Sequence, residues 1–144
     1  MKTLFVYSDG GALNNPGPAG LGVVITDERG QVLKKISQYI GRATNNQAEY
    51  KALILALKTV VELKKQAEWK EAAVRVFLDS ELLVRQLNLQ YKVKDKALQL
   101  LFLEVYNLAV SLKKVSFTHI PREQNRLADQ LVKQALRKTP SQRP

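Results

Sequence analysis

The chain of 144 residues contains no cysteine, one histidine, one tryptophan and one methionine. Without cysteine there is no disulfide framework, and a lone histidine leaves no ligand set for a structural zinc or an iron–sulfur centre. Any metal bound here is held by oxygen, which points to Mg2+ or Mn2+. Long apolar runs are also missing, so no membrane span is expected and no membrane partner. The opening residues Met1 to Tyr7 show no apolar signal core followed by a small-residue cleavage site, and a cytoplasmic address is the expectation. Acidic residues are scarce: 13 Asp and Glu stand against 23 Lys and Arg, a formal charge of +10. That imbalance favours polyanionic partners through counterion release, a property shared by many basic proteins that are not enzymes. No obligate protein partner is indicated.

What is present reads as one α/β domain over residues 1–136, with a polar, proline-bearing tail over 137–144 expected to fray. Leu4 to Ser8 is a short apolar run, and Asp9-Gly10-Gly11 after it predicts a turn. Gly20 to Thr26 and Gln31 to Ile40 are β-rich and separated by Asp27-Glu28-Arg29-Gly30, the pattern of a hairpin. Thr44-Asn45-Asn46-Gln47 predicts a capping box opening a helix that runs to about Lys65. Val74 to Leu78 and Val115 to Thr118 predict strands, and Ser80 to Leu89, Lys94 to Leu112 and Asn125 to Leu136 predict helices. Hairpin-joined strands followed by alternating strands and helices predict a mixed sheet with parallel later members.

Four acidic residues break the apolar pattern of their own elements. Phe5, Tyr7 and Asp9 share one strand face, and Arg75, Phe77 and Asp79 share another. Parallel neighbours would bring the two aspartates together at the carboxyl ends of the strands, where open α/β sheets bind ligands. Glu49 heads the helical stripe Glu49, Leu53, Ala56, Val60, and Asp129 heads Asp129, Val132, Leu136. Burying unpaired carboxylates costs several kcal/mol, roughly, and no Lys or Arg is expected inward beside all four. Divalent magnesium would satisfy them, and two such ions about 3.5–4 Å apart promote phosphodiester hydrolysis. Taken singly, each acid also fits a turn, a helix start or a surface ion pair.

The motifs Tyr7-Ser8-Asp9-Gly10-Gly11 with Asn15 to Gly20, Thr44 to Glu49, Leu78-Asp79-Ser80, and His119 to Asp129 resemble, in order and spacing, those of type 1 ribonuclease H. The resemblance covers about Thr3 to Leu136. It implies a ribonuclease H-like five-stranded sheet of order 3-2-1-4-5 and a two-metal site formed by Asp9, Glu49, Asp79 and Asp129. It further implies cutting of the RNA strand of an RNA/DNA hybrid to leave 5′-phosphate and 3′-hydroxyl ends. His119 takes the place of the family histidine that helps move protons or release product. Asn14, Asn15 and Asn46 become candidates for reading the 2′-hydroxyl, Thr44 and Asn45 for a DNA-phosphate pocket, and Arg122 for a phosphate contact. Glu81 stands where many relatives have glutamine. The sequence departs from the family in two places: Gln90 to Lys96 is short and lacks the tryptophans of the basic handle, and His119-Ile120-Pro121-Arg122 replaces a glycine-containing loop. No extra N-terminal hybrid-binding domain is expected. The alternatives are a same-fold nuclease that also acts on double-stranded RNA, and a non-catalytic module that binds hybrids or RNA.

Overall fold

The computed structural model describes residues 2–137. Five strands, β1 (Thr3–Ala12), β2 (Gly17–Thr26), β3 (Val32–Ala43), β4 (Ala73–Leu78) and β5 (Val115–His119), form one sheet in the order β3-β2-β1-β4-β5. β1, β2 and β3 are antiparallel, while β1 pairs parallel with β4 and β4 with β5. The expected strand order is the observed one. Four helices accompany the sheet: α1 (Asn45–Leu63), α2 (Glu81–Leu87), α3 (Lys96–Leu112) and α4 (Arg126–Arg137). The tail read over 137–144 lies outside the described residues, save Arg137, which closes α4. No helix among the described residues is long and apolar enough to cross a membrane.

Alternation along β1 and β4 decides the layers. Leu4, Val6, Val74 and Val76 face α1 and pack with Leu53, Leu57 and Val60 in the main core. The opposite face carries Phe5, Tyr7 and Phe77, and there α4 packs over β2 through Ala128, Leu131 and Ala135. Thr44 caps α1 as read from the sequence: its Oγ1 accepts from the Gln47 N–H at 3.1 Å, and Gln47 Oε1 accepts from the Thr44 N–H at 2.9 Å. Ser80 and Asp95 turn out to be the N-caps of α2 and α3 rather than their first turns.

The largest correction concerns Asp9-Gly10-Gly11. The segment is not a turn: β1 runs on to Ala12, paired with β2 as far as Ala19. Its parallel pairing with β4 stops at Tyr7 opposite Phe77. Asp9 therefore sits inside a strand that outruns its parallel neighbour. The glycines there serve packing: a Cβ on Gly10 would lie 2.3 Å from the carbonyl carbon of Ala48, so only glycine lets α1 come this close. Gly22 plays the same part for α4, where a Cβ would stand 2.1 Å from Ala128 O.

Candidate active site

Asp9 stands on β1, Asp79 directly after β4, and Glu49 in the first turns of α1, brought over the sheet edge by the close approach at Gly10. One carboxylate oxygen from each lies within 4.8 Å of the others, and all three residues are half-buried. A cavity of about 10 Å³, room for roughly one water, lies among Ser8, Asp9, Glu49, Asp79 and Ser80.

Electrostatics record the strain of this arrangement. Burial, followed by the charges of Asp79, Asp129 and Glu49, pushes Asp9 up to about 8 against a backbone hydrogen bond from Gly10. Glu49 rises to about 7 through burial and then Asp79, opposed by a hydrogen bond from Ser80 and by the charge of Arg122. These carboxyls hold protons in the folded chain that the unfolded chain releases. Folding stability of the metal-free protein is therefore expected to fall as pH rises from about 4 to about 8. Millimolar Mg2+ or Mn2+ should raise the melting temperature more at about pH 8 than at about pH 5.5. Thermal scans with and without the ion check this, and an equal shift at both pH values would remove the linkage.

Asp129 departs from the four-carboxylate reading. It is close enough to raise Asp9, yet its Oδ2 pairs with Lys133 Nζ at 3.0 Å on the next turn of α4. It lies outside the cluster of three. The expected stripe also shifts: α4 buries Ala128, Leu131, Val132 and Ala135, with Leu136 only half-buried and Asp129 at the margin. Cations are thus nearer the acids than the sequence suggested, Lys133 at Asp129 and Arg122 at Glu49, but neither sits among all four.

His119 ends β5 in register with Leu78, one residue before Asp79, and is exposed. Asn15, Thr44 and Asn46 line a cavity of about 300 Å³ at the start of α1, shared with Asp95, whose Oδ1 caps α3. Nearby, Asn15 Oδ1 accepts from the Asn45 N–H and Asn45 Oδ1 accepts from the Ala12 N–H, both at 2.8 Å. These oxygens hold the loop to β1 and α1, leaving the amide N–H groups as donors. Asn14 is an exposed loop residue at φ 55. Glu81 is exposed at the start of α2, its Oε2 bound to Arg85 at 2.9 Å.

Sequence reasoning missed Asn125, taken there only as the start of the last helix. It precedes α4, is 1 % exposed, and donates from Nδ2 to Ser8 O and to Asp79 Oδ2, both at 3.0 Å. One amide thereby ties β1, β4 and the start of α4 together and aims the Asp79 carboxylate. Asn125→Ala is expected to weaken Mn2+ binding about tenfold, the usual effect of losing a group that orients a ligand. Calorimetric titration checks it, with Asn125→Asp as a variant that cannot donate to Asp79; unchanged affinity in both would make Asn125 a packing residue only.

The donor set fits hard divalent ions: three carboxylate oxygens within reach of one another, and buried polar atoms Ser8 Oγ and Asn125 Oδ1 without a protein partner beside them. An acidic cluster at the carboxyl edge of a mixed sheet of this order defines the ribonuclease H fold class. A family profile described as reverse transcriptase-like matches residues 7–135. Among solved structures, LC11-RNase H1 isolated from compost is 46% identical, with 94% of this chain and 96% of that chain covered and a TM-score of 0.89. That protein has also been solved in complex with an RNA/DNA hybrid. Ribonuclease HI of Halobacterium salinarum is 36% identical over 90% of this chain and 62% of its own length. The bifunctional protein Rv2228c of Mycobacterium tuberculosis is 40% identical over 91% of this chain. The chain spans about a third of the length of that mycobacterial relative, 35%. It belongs to the type 1 ribonuclease H family.

Proposed function

We propose that this chain, as a catalytic domain over residues 1–136, is a cytoplasmic endonuclease that hydrolyses the RNA strand of RNA/DNA hybrids and leaves 5′-phosphate and 3′-hydroxyl ends. The observation that carries the reading is the convergence of Asp9, Glu49 and Asp79 within 4.8 Å, with two of the three carboxyls forced up by burial and repulsion. Family membership and the hybrid-bound structure of LC11-RNase H1 support the choice of substrate.

Asp9, Glu49 and Asp79 would hold Mg2+ or Mn2+, with Asp129 joining once released from Lys133. The bound ions would supply an activated water and charge stabilisation at the scissile phosphate. Asn125 keeps the Asp79 carboxylate in place, and Arg122 brings positive charge to the side of Glu49 where a phosphate approaches. The amide donors of Asn15 and Asn46, with the loop backbone at Asn14, reach for the 2′-hydroxyl that marks RNA. Thr44 and Asn45 offer donors to a phosphate of the DNA strand, and Glu81 stands at the edge of that surface as an acceptor. His119, exposed beside β4, moves a proton to or from the departing product.

Matched RNA/DNA, RNA/RNA and DNA/DNA duplexes incubated with Mg2+, Mn2+ or chelator test the proposal. Cutting confined to the RNA of the hybrid, lost in chelator, is expected; equal cutting of double-stranded RNA would widen the substrate class, and no cutting with either ion would reject the reading. His119→Ala should lower kcat by about a hundredfold or more without abolishing turnover, because general acid–base help accelerates rather than enables the step. An unchanged kcat would take His119 out of the mechanism.

A further inference from the structure

The sheet face opposite α1 holds a second feature that the carboxylate site does not use. α4 covers β2 there, and beside that cover Phe5, Tyr7 and Phe77 remain half-buried. Tyr7 and Phe77 stack at 5.1 Å between centroids, close to the spacing of neighbouring strands, so both rings stand off the sheet. Phe77 occupies one face of the Tyr7 ring. On the side toward β2 a cavity of about 500 Å³ opens, lined by Phe5, Tyr7 and Val24 from the strands, Arg29 from the β2–β3 hairpin, and Arg126 and Leu127 from α4.

Size, walls and position select the class of ligand. The volume suits a small molecule or one monomer of a polymer rather than a helix or a strand pair. The rings of Phe5 and Tyr7 with Val24 accept a planar ring, and Arg29 and Arg126 in the same lining bind phosphate through fixed guanidinium geometry. Glu28 and Glu123 also line the cavity; Glu28 Oε2 already accepts from the Thr3 N–H at 3.2 Å, and Glu123 is exposed and available to sugar hydroxyls or base amino groups. Location completes the case. Tyr7 and Asp9 share a face of β1 two residues apart, roughly 6.5 Å along the strand, and Asn125, which holds Asp79, lines the same cavity.

A base inside a duplex is stacked on its neighbours and cannot enter such a slot. We propose that the slot takes one unpaired nucleotide of the strand that continues past the carboxylates, with its base against Tyr7 and its phosphate between Arg29 and Arg126. The inference rests on the reading of the carboxylate cluster as a polynucleotide-cutting site. It makes the protein a reader of junctions between hybrid and single strand, beyond hybrid recognition itself.

The test uses the full chain and hybrids that are blunt or carry a six-uridine RNA tail at the 5′ or the 3′ end. For one tail polarity KM should fall about fivefold or more relative to the blunt hybrid, the worth of one base–aromatic stack. In Tyr7→Leu and in Arg126→Ala the ratio of tailed to blunt KM should approach one; two variants guard against either one misfolding. In parallel, free hexauridylate in chelator should shift the amide resonances of Phe5, Tyr7 and Leu127 more than those of Asn46 and Gln47. Equal KM for tailed and blunt hybrids, or a tail advantage that survives both substitutions, overturns the slot. A chain that cuts no hybrid while hexauridylate still shifts those amides would overturn the nuclease reading and leave the slot standing.

Discussion

Asp79→Asn is expected to reduce hybrid cleavage by about a thousandfold or more while leaving the fold and hybrid binding intact. The two side chains have the same shape, and the Asn125 amide can still donate to the oxygen that remains. What is lost is one of three carboxylate ligands within 4.8 Å, and with it charge that would hold a divalent ion. Asp9→Asn should act the same way on cleavage and oppositely on stability. The carboxyl of Asp9 is pushed up to about 8 by burial and three acidic neighbours, so removing its charge relieves the metal-free fold. A variant that melts higher than the parent in chelator at about pH 8, yet no longer gains from Mg2+, would identify the acids as sites of function held against stability. Wild-type rates of metal-dependent cutting by either variant would sink the assignment of the site. Hybrid binding measured in the same samples separates lost chemistry from lost recognition.

The parts legible in the sequence are those fixed by local chemistry or by strict periodicity. Thr44 and Gln47 cap α1 as their spacing demands, because both hydrogen bonds span only three residues. Alternation along two parallel strands predicts Asp9 and Asp79 at one sheet edge, and the register Tyr7 opposite Phe77 places them there. The misreadings have a common physical origin in contacts between distant segments. Asp9-Gly10-Gly11 carries turn chemistry, but the space that Gly10 leaves is filled by the backbone of Ala48, a demand invisible within the segment itself. Asn125 resembles an ordinary residue at a helix start until Ser8, 117 positions away, comes within reach of its amide. Asp129 is legible in part: its stripe points it toward the cluster, while Lys133 four residues on is a standard helical ion-pair partner and in the fold holds its carboxylate. The slot beside Tyr7 depends on where α4 stops covering the sheet, which no pattern along the chain specifies.

The dependence of the site on one close approach leads to the second large expectation. Gly10→Ala places a Cβ 2.3 Å from both the carbon and the oxygen of the Ala48 carbonyl and 2.6 Å from the Glu49 nitrogen. Every one of those atoms is backbone, so no side chain can rotate out of the way and the start of α1 must retreat from β1. Overpacking of this kind costs about 1–3 kcal/mol and more where the neighbour is rigid, which for a chain of this size lowers Tm by several degrees, roughly 2–4 °C for each kcal/mol. Glu49 travels with the helix, so the cluster of three opens and Mn2+ affinity and cleavage should fall together by about a hundredfold in the molecules that remain folded. Gly30→Ala is the matched comparison. Gly30 lies in the β2–β3 hairpin at φ +82 with open space around a Cβ, so alanine there costs about 1 kcal/mol in backbone strain and leaves the metal site alone. If Gly10→Ala cuts hybrids and binds Mn2+ as the parent does once the folded fraction is matched to that of Gly30→Ala, the approach of α1 to β1 does not set the position of Glu49.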